Sequence, residues 1–153
     1  MKVYISNSPP ETKQLGRALG KNLKAGDVVT LDGELGAGKT VFTSGIAEAL
    51  GYSGYVTSPT YTIVNEYLGL KTDLFHVDAY RLDNPDEIID IGLGDYLNSM
   101  GIVVIEWADR INMHIPADSI KVIIEKCGSG DDARTIRISC SKELQKDNED
   151  TCH

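Results

Sequence analysis

The eight residues Gly33-Glu34-Leu35-Gly36-Ala37-Gly38-Lys39-Thr40 fit the pattern GxxxxGK(S/T) without a gap, and no other feature constrains the chain as much. The pattern is that of a phosphate-binding loop. Its glycines let the backbone turn tightly and bring N–H groups against phosphate oxygens. The helix that follows aims its positive N-terminus at the same oxygens. In such a loop Lys39 supplies a mobile cation for the β- and γ-phosphates, and Thr40 offers a hydroxyl to Mg²⁺. The context agrees. DVVTLD (Asp27–Asp32) reads as a strand before the loop, and Lys39 to about Leu50 reads as a helix after it, closed by Gly51. The expected nucleotide contacts are Glu34, Leu35, Gly36, Ala37, Gly38, Lys39, Thr40 and Val41.

A loop of this kind needs a second anchor for its metal, usually an acid at the end of a buried strand. Glu106 closes the apolar run IVVIE and is followed by Trp107, with no adjacent aspartate. The competing reading is a strand-end acid facing solvent. Asp78, in HVDAYR, could reach the metal or orient an attacking water, or could be a polar residue on an exposed strand face. Lys39, Asp78 and Glu106 are therefore the candidate catalytic residues, and Thr40, Glu106 and Asp78 the candidate metal ligands. His76 shares a strand face with Asp78; with no neighbouring Cys or His it reads as a structural hydrogen-bonder. Arg81 could balance phosphate charge or be a surface arginine. Thr57-Ser58-Pro59-Thr60 offers hydroxyls that could touch the γ-phosphate or Mg²⁺, Thr60 being the candidate contact; the plain alternative is a turn leading into a strand. GTPases of this superclass read guanine with an N/T-K-x-D motif. None follows Glu106, so adenine is the expected base.

Around the loop the pattern is that of an α/β protein. Val3–Ile5 reads as a short strand. Ser8-Pro9-Pro10-Glu11 reads as a helix start with a capping box, followed by Leu15, Ala18, Leu19 and Leu23 at helical spacing and stopped by Gly26. Tyr61–Tyr67 and Asp73–Ala79 read as an antiparallel hairpin. Helices are expected from Asn84 to about Ile91 and over Asp95–Ser99. Ile102–Ile105 suits a buried central strand, and Ser119–Lys126 with Arg134–Cys140 a second hairpin. The fold expected is a P-loop NTPase domain over residues 1–140, with a mostly parallel central sheet extended by antiparallel strands and helices on both faces. Residues 141–153 are polar, without apolar period, and are expected to form a disordered tail.

At 153 residues the chain can bury one ordinary core. A net charge of −8 disfavours direct binding of nucleic acid phosphates. No apolar run approaches the ~20 residues of a membrane span, and the N-terminus carries no secretion signal. Cys127, Cys140 and Cys152 match neither zinc nor CxxC spacing and are expected to be free thiols in a cytoplasmic protein.

GELGAGKT, VTSPTY, HVDAYR and VVIEW, in this order, together resemble the TsaE (YjeE) family, small bacterial ATPases required for making threonylcarbamoyladenosine in tRNA. The resemblance spans roughly Ser8 to Asp109; beyond about Ile111 no signature matches. It implies ATP and Mg²⁺ as ligands. It also implies ATP hydrolysis that is weak alone and stimulated by a TsaB–TsaD heterodimer, in which TsaD performs the transfer and which ATP turnover resets between rounds. tRNA would be met only through these partners. Lys39 and Thr40 match the family's Walker A residues, Thr57 to Thr60 its switch-like segment, Asp78 the acid of its HxDxYR motif, and Glu106 and Trp107 its E-W pair. Two other functions remain in view. A small-molecule P-loop kinase would need an arginine-rich lid, and only Arg81 lies in the lid region, with Arg110, Arg134 and Arg137 further on. A nucleotide-gated binding module would switch partner affinity without meaningful turnover.

Overall fold

Strand formation in the centre follows from apolar runs too continuous to leave either face in water. In the computed structural model, which describes residues 1–59, 63–128 and 130–140, these runs are β2 (Val28–Asp32) and β5 (Ile102–Glu106), the latter buried along its whole length. They are joined by β1 (Lys2–Ser6), β3 (Val64–Tyr67), β4 (Leu74–Asp78), β6 (Ile120–Lys126) and β7 (Arg134–Cys140) in one sheet of order β1-β7-β6-β2-β5-β4-β3. The four central strands β6, β2, β5 and β4 run parallel, and antiparallel pairs extend the sheet at both ends. This is the P-loop NTPase fold that the sequence implies.

Alternation along β5 sends Ile102 and Val104 to one face and Val103 and Ile105 to the other. The first face packs under α1 (Pro9–Asn22) and α2 (Lys39–Ala49). The second packs under α3 (Glu87–Ile91), α4 (Leu93–Asn98) and a 3₁₀ helix at Ala108–His114. The helices α1 and α2 touch at their backbones: a Cβ on Gly16 would lie 2.1 Å from the Phe42 carbonyl oxygen, and one on Gly45 2.1 Å from that of Lys13. This contact holds α2, and with it the loop at its N-terminus, against the sheet.

The predicted start of α1 is present. Ser8 caps it, accepting from Glu11 N at 3.3 Å, while the Glu11 carboxylate reaches back to Asn7 N at 2.6 Å. The stop differs. The helix ends at Asn22, three residues before Leu23-Lys24-Ala25 has run out to Gly26, because an Asp27 side chain takes the Lys24 N–H at 2.7 Å and turns the chain early. The 3₁₀ helix carries no apolar period and is absent from the sequence reading. Strand β3 runs Val64–Tyr67, and Ile63 before it has φ +66°, outside any strand region; the expected start at Tyr61 lies outside the described residues. Cys140 is disulfide-bonded, against the expectation of free thiols, and Cys127 is free. Thr60, Tyr61 and the tail from Ser141 lie outside the described residues.

Candidate functional site

In a parallel sheet, ligand sites form beyond the carboxyl ends of the strands. Here β2, β5 and β4 end side by side: Leu31 pairs with Glu106, and Glu106 with Asp78. The loop Gly33–Gly38 fills the space between the end of β2 and α2. Its shape depends on glycine. Gly36 and Gly38 have φ of +76° and +107°, and a Cβ on Gly33 would stand 2.3 Å from the Ile124 carbonyl oxygen of β6. Gly38 is also the N-cap of α2, and among the described residues no side chain makes a capping hydrogen bond to that terminus.

Lys39 is buried at the first position of α2. Its Nζ donates to the carbonyls of Gly33 at 2.6 Å and Glu34 at 2.9 Å, and lies 4.1 Å from the centre of the Trp107 ring. Burial pushes the ammonium below its ordinary pKa, opposed by the charges of Glu106, Asp78, Asp32 and Asp109. Thr40 Oγ1 faces Glu106 Oε1 at 3.5 Å, too long for a strong hydrogen bond. The other Glu106 oxygen is bonded to His76 Nε2 at 2.5 Å, with both side chains buried. Asp78 accepts from Ser58 Oγ at 3.0 Å and from the Tyr80 N–H at 2.9 Å.

These groups converge on one cleft of about 500 Å³. Leu35 to Val41 line it from the loop and α2, Asp78 and Glu106 from the strand ends, Ser58 and Pro59 from the segment after α2, and Tyr80, Arg81 and Trp107 from the rim. Glu34 does not line it; its carbonyl instead holds Lys39. Thr60 lies outside the described residues. A smaller recess of about 110 Å³ sits behind the loop between Pro9, Thr12, Gly36–Gly38, Val41, Asp132 and Arg134.

A sequence model described as "Threonylcarbamoyl adenosine biosynthesis protein TsaE" matches residues 6–136. The tRNA threonylcarbamoyladenosine biosynthesis protein TsaE of Bacillus subtilis is 43% identical over 129 residues, 84% of this chain and 79% of that protein. The protein of the same name from Streptomyces coelicolor is 44% identical over 128 residues, covering 82% and 85% of the two chains. The crystal structure of Bacillus subtilis YdiB superposes with a TM-score of 0.76 at 36% identity, covering 88% of this chain and 82% of that one. The chain belongs to the TsaE family.

All four motifs that carry the resemblance lie inside the matched span, and in this TsaE-family chain each contributes to the cleft. Three neighbours of the cleft were not singled out from sequence. Tyr80 packs at a tilt against Trp107 with ring centres 4.8 Å apart, and Arg110 donates to its carbonyl at 2.6 Å; the signal was the tyrosine of HVDAYR itself. Arg134, at the start of β7, donates to the carbonyls of Ala37 at 2.8 Å and Gly36 at 3.2 Å and so braces the loop from outside. Asp32 accepts from the Asp109 N–H at 3.2 Å and ties the end of β2 to the 3₁₀ helix. No local pattern marks the last two, because only the parallel pairing of β2 with β6 and β5 brings residues so distant in sequence beside the loop.

Proposed function

We propose that this TsaE-family chain is a Mg²⁺-dependent ATPase subunit acting in threonylcarbamoyladenosine modification of tRNA, hydrolysing ATP weakly alone and driving turnover of a TsaB–TsaD complex. The observation that carries the reading is the meeting of Lys39, Thr40, Glu106 and Asp78 in one cleft under an uncapped helix N-terminus. The relatives' names supply the pathway.

The residues present fit a magnesium ion. Thr40 and Glu106 offer a hydroxyl and a carboxylate oxygen facing each other, a hard-oxygen donor set. No group of three or more His, Cys, Asp or Glu side chains that could hold a metal occurs among the described residues. That suits magnesium, which is usually held by one or two carboxylates together with substrate phosphates. When bound it neutralises charge developing on the β- and γ-phosphates. The loop N–H groups and the α2 terminus bind the phosphates. Lys39 exchanges its carbonyl partners for phosphate oxygens. Asp78, fixed by Ser58 and the Tyr80 N–H, keeps lone pairs with which to orient a water on the γ-phosphate.

Adenine is favoured because no N/T-K-x-D motif follows Glu106. The net charge of −8 leaves tRNA to the partner proteins. No helix of the described residues is long and apolar enough to cross a membrane, and the cytoplasm is where tRNA modification would place the chain. A kinase reading finds little support: Arg110, Arg134 and Arg137 are engaged with Tyr80, the loop and Glu125, so Arg81 is the arginine on the cleft. The test is ATP hydrolysis with and without TsaB–TsaD. Stimulation by the heterodimer is expected. An unchanged rate overturns the assignment, and transfer of labelled phosphate to a small acceptor would favour a kinase. Full modification over many cycles by a Glu106→Ala variant that still binds ATP would favour a gated binding module.

A further inference from the structure

The buried pair His76–Glu106 is unusual in its bonding. On β4, Phe75 and Val77 belong to the core under α3 and α4, and Leu74 to the core under α1 and α2. Alternation therefore sends His76 and Asp78 to the α2 side, where Ile102 and Val104 precede Glu106 on the neighbouring strand. His76 is opposite Val104 in register, one step before the Asp78–Glu106 pair. Its ring is fully buried, and so, within 2%, is Glu106. The ring meets Glu106 through Nε2, and with Glu106 as a carboxylate that nitrogen is the donor. That leaves Nδ1, which has no hydrogen-bond partner among the described residues.

A histidine serving only the fold would not be built this way. An apolar side chain of similar size would fill the space without stranding a buried nitrogen, which is a cost to stability. Among the described residues the ring's polar contact is Glu106 Oε2, and its effect is to leave Oε1 as the oxygen turned toward Thr40. We propose that His76 is a positioning residue: it fixes the plane of the Glu106 carboxylate so that one oxygen alone is presented beside the Thr40 hydroxyl to Mg²⁺. The inference rests on the reading of Glu106 as the magnesium carboxylate. A partner that orients a metal ligand in this way typically governs metal affinity 10–100-fold.

The test compares nucleotide affinity of the full chain by calorimetry in EDTA and across a Mg²⁺ series, with Mn²⁺ binding to the ATP complex read by electron paramagnetic resonance. In His76→Leu, the Mg²⁺ concentration for half-maximal effect is expected to rise by roughly 10-fold or more. Affinity in EDTA and the melting temperature should not fall. His76→Gln, whose amide nitrogen reaches the Nε2 position, should recover most of the loss. Should the leucine variant fail to fold, His76→Asn takes its place, since its shorter amide cannot reach Glu106. A Mg²⁺ requirement within about 2-fold of the parent in His76→Leu, or equal in the Gln and Asn variants, overturns the proposal. Glu106→Gln separates the two readings. If it loses the Mg²⁺ effect while His76→Leu keeps it, positioning by His76 alone is wrong; if Glu106→Gln itself leaves the Mg²⁺ effect intact, the metal reading falls and this inference with it.

Discussion

The two walls of the cleft are built by different means. One wall consists of β2, the glycine loop, the start of α2 and the end of β5. Its chemistry-bearing groups, Lys39 and Glu106, are only 5% and 2% exposed, and their orientation follows from strand register and helix packing. The other wall is made of Ser58-Pro59 and, from the last residue of β4 onward, Asp78 to Arg81; there bonds such as Ser58 to Asp78 and Arg110 to the Tyr80 carbonyl hold segments that leave the sheet, and Tyr80 is 39% exposed. On the first wall both groups are desolvated, and the Glu106 carboxyl is already held by His76, as a preorganised site requires. Groups on the second can change partners at little cost, as a nucleotide-sensing segment must. Under the proposed function the first wall would set affinity and the second the response.

The largest effect is expected on the first wall. Lys39→Ala removes the cation proposed to meet the phosphates and should weaken ATP binding more than ~100-fold, since charge-assisted bonds contribute about 1.5–3 kcal/mol each and the ammonium would make more than one. Calorimetry checks this. Because the native ammonium is buried and its pKa lowered, the variant should melt no lower than the parent at neutral pH. A large fall in melting temperature would mean that the bonds to the Gly33 and Glu34 carbonyls hold the loop together, and that the wall is not set independently of Lys39.

An intermediate effect is expected at Thr40. Thr40→Val keeps shape and removes the hydroxyl facing Glu106. It should abolish most of the gain that Mg²⁺ brings to nucleotide affinity, roughly 10-fold, and leave affinity in EDTA near the parent's. Equal losses in the two conditions would show that the threonine serves the loop and not the metal.

A smaller effect distinguishes the second wall. Ser58→Ala deletes a donor to Asp78, a bond of about 0.5–1.5 kcal/mol. The expected result is a 2–10-fold drop in partner-stimulated ATP hydrolysis with unchanged ATP affinity. If affinity falls as much as turnover, the division of labour between the walls fails.

The two walls were also unequally legible in the sequence. GELGAGKT states its own geometry, because only glycine allows the φ values at Gly36 and Gly38 and the approach of Gly33 to Ile124, and the strand and helix around it follow from periodicity. The central strands were readable from unbroken apolar runs, and the order of motifs located Asp78 and Glu106. The bracing of the loop by Arg134 was not, since it depends on a hairpin whose place is decided by pairing of β6 with β2. The 3₁₀ helix after Trp107 was hidden for another reason: Trp107 itself has φ +57°, a backbone turn that no residue-type rule assigns to tryptophan. The end of α1 was misplaced because an Asp27 side chain outcompeted a glycine stop.

The smallest effect tests what the first wall costs the fold. Burial raises the Asp32 carboxyl above its ordinary pKa of 3.8, and the charge of Asp109 adds to this, while bonds from the Asp109 and Ala108 N–H groups oppose it. The native state thus holds this proton more tightly than the unfolded chain does. Stability from Asp32 is fully present below the unfolded value and is lost as pH rises through the folded one, so at neutral pH the ionised group weakens the fold. Asp32→Asn keeps an acceptor for the Asp109 N–H and removes the charge. Its melting temperature should exceed the parent's by no more than about 2 °C at neutral pH, given the group's partial exposure to solvent. The gain should vanish below about pH 4, where both side chains are neutral. Thermal melts at the two pH values decide the point. A variant that melts lower at neutral pH would mean that the charge-assisted bond from Asp109 outweighs desolvation, and that the end of β2 is held by its charge rather than in spite of it.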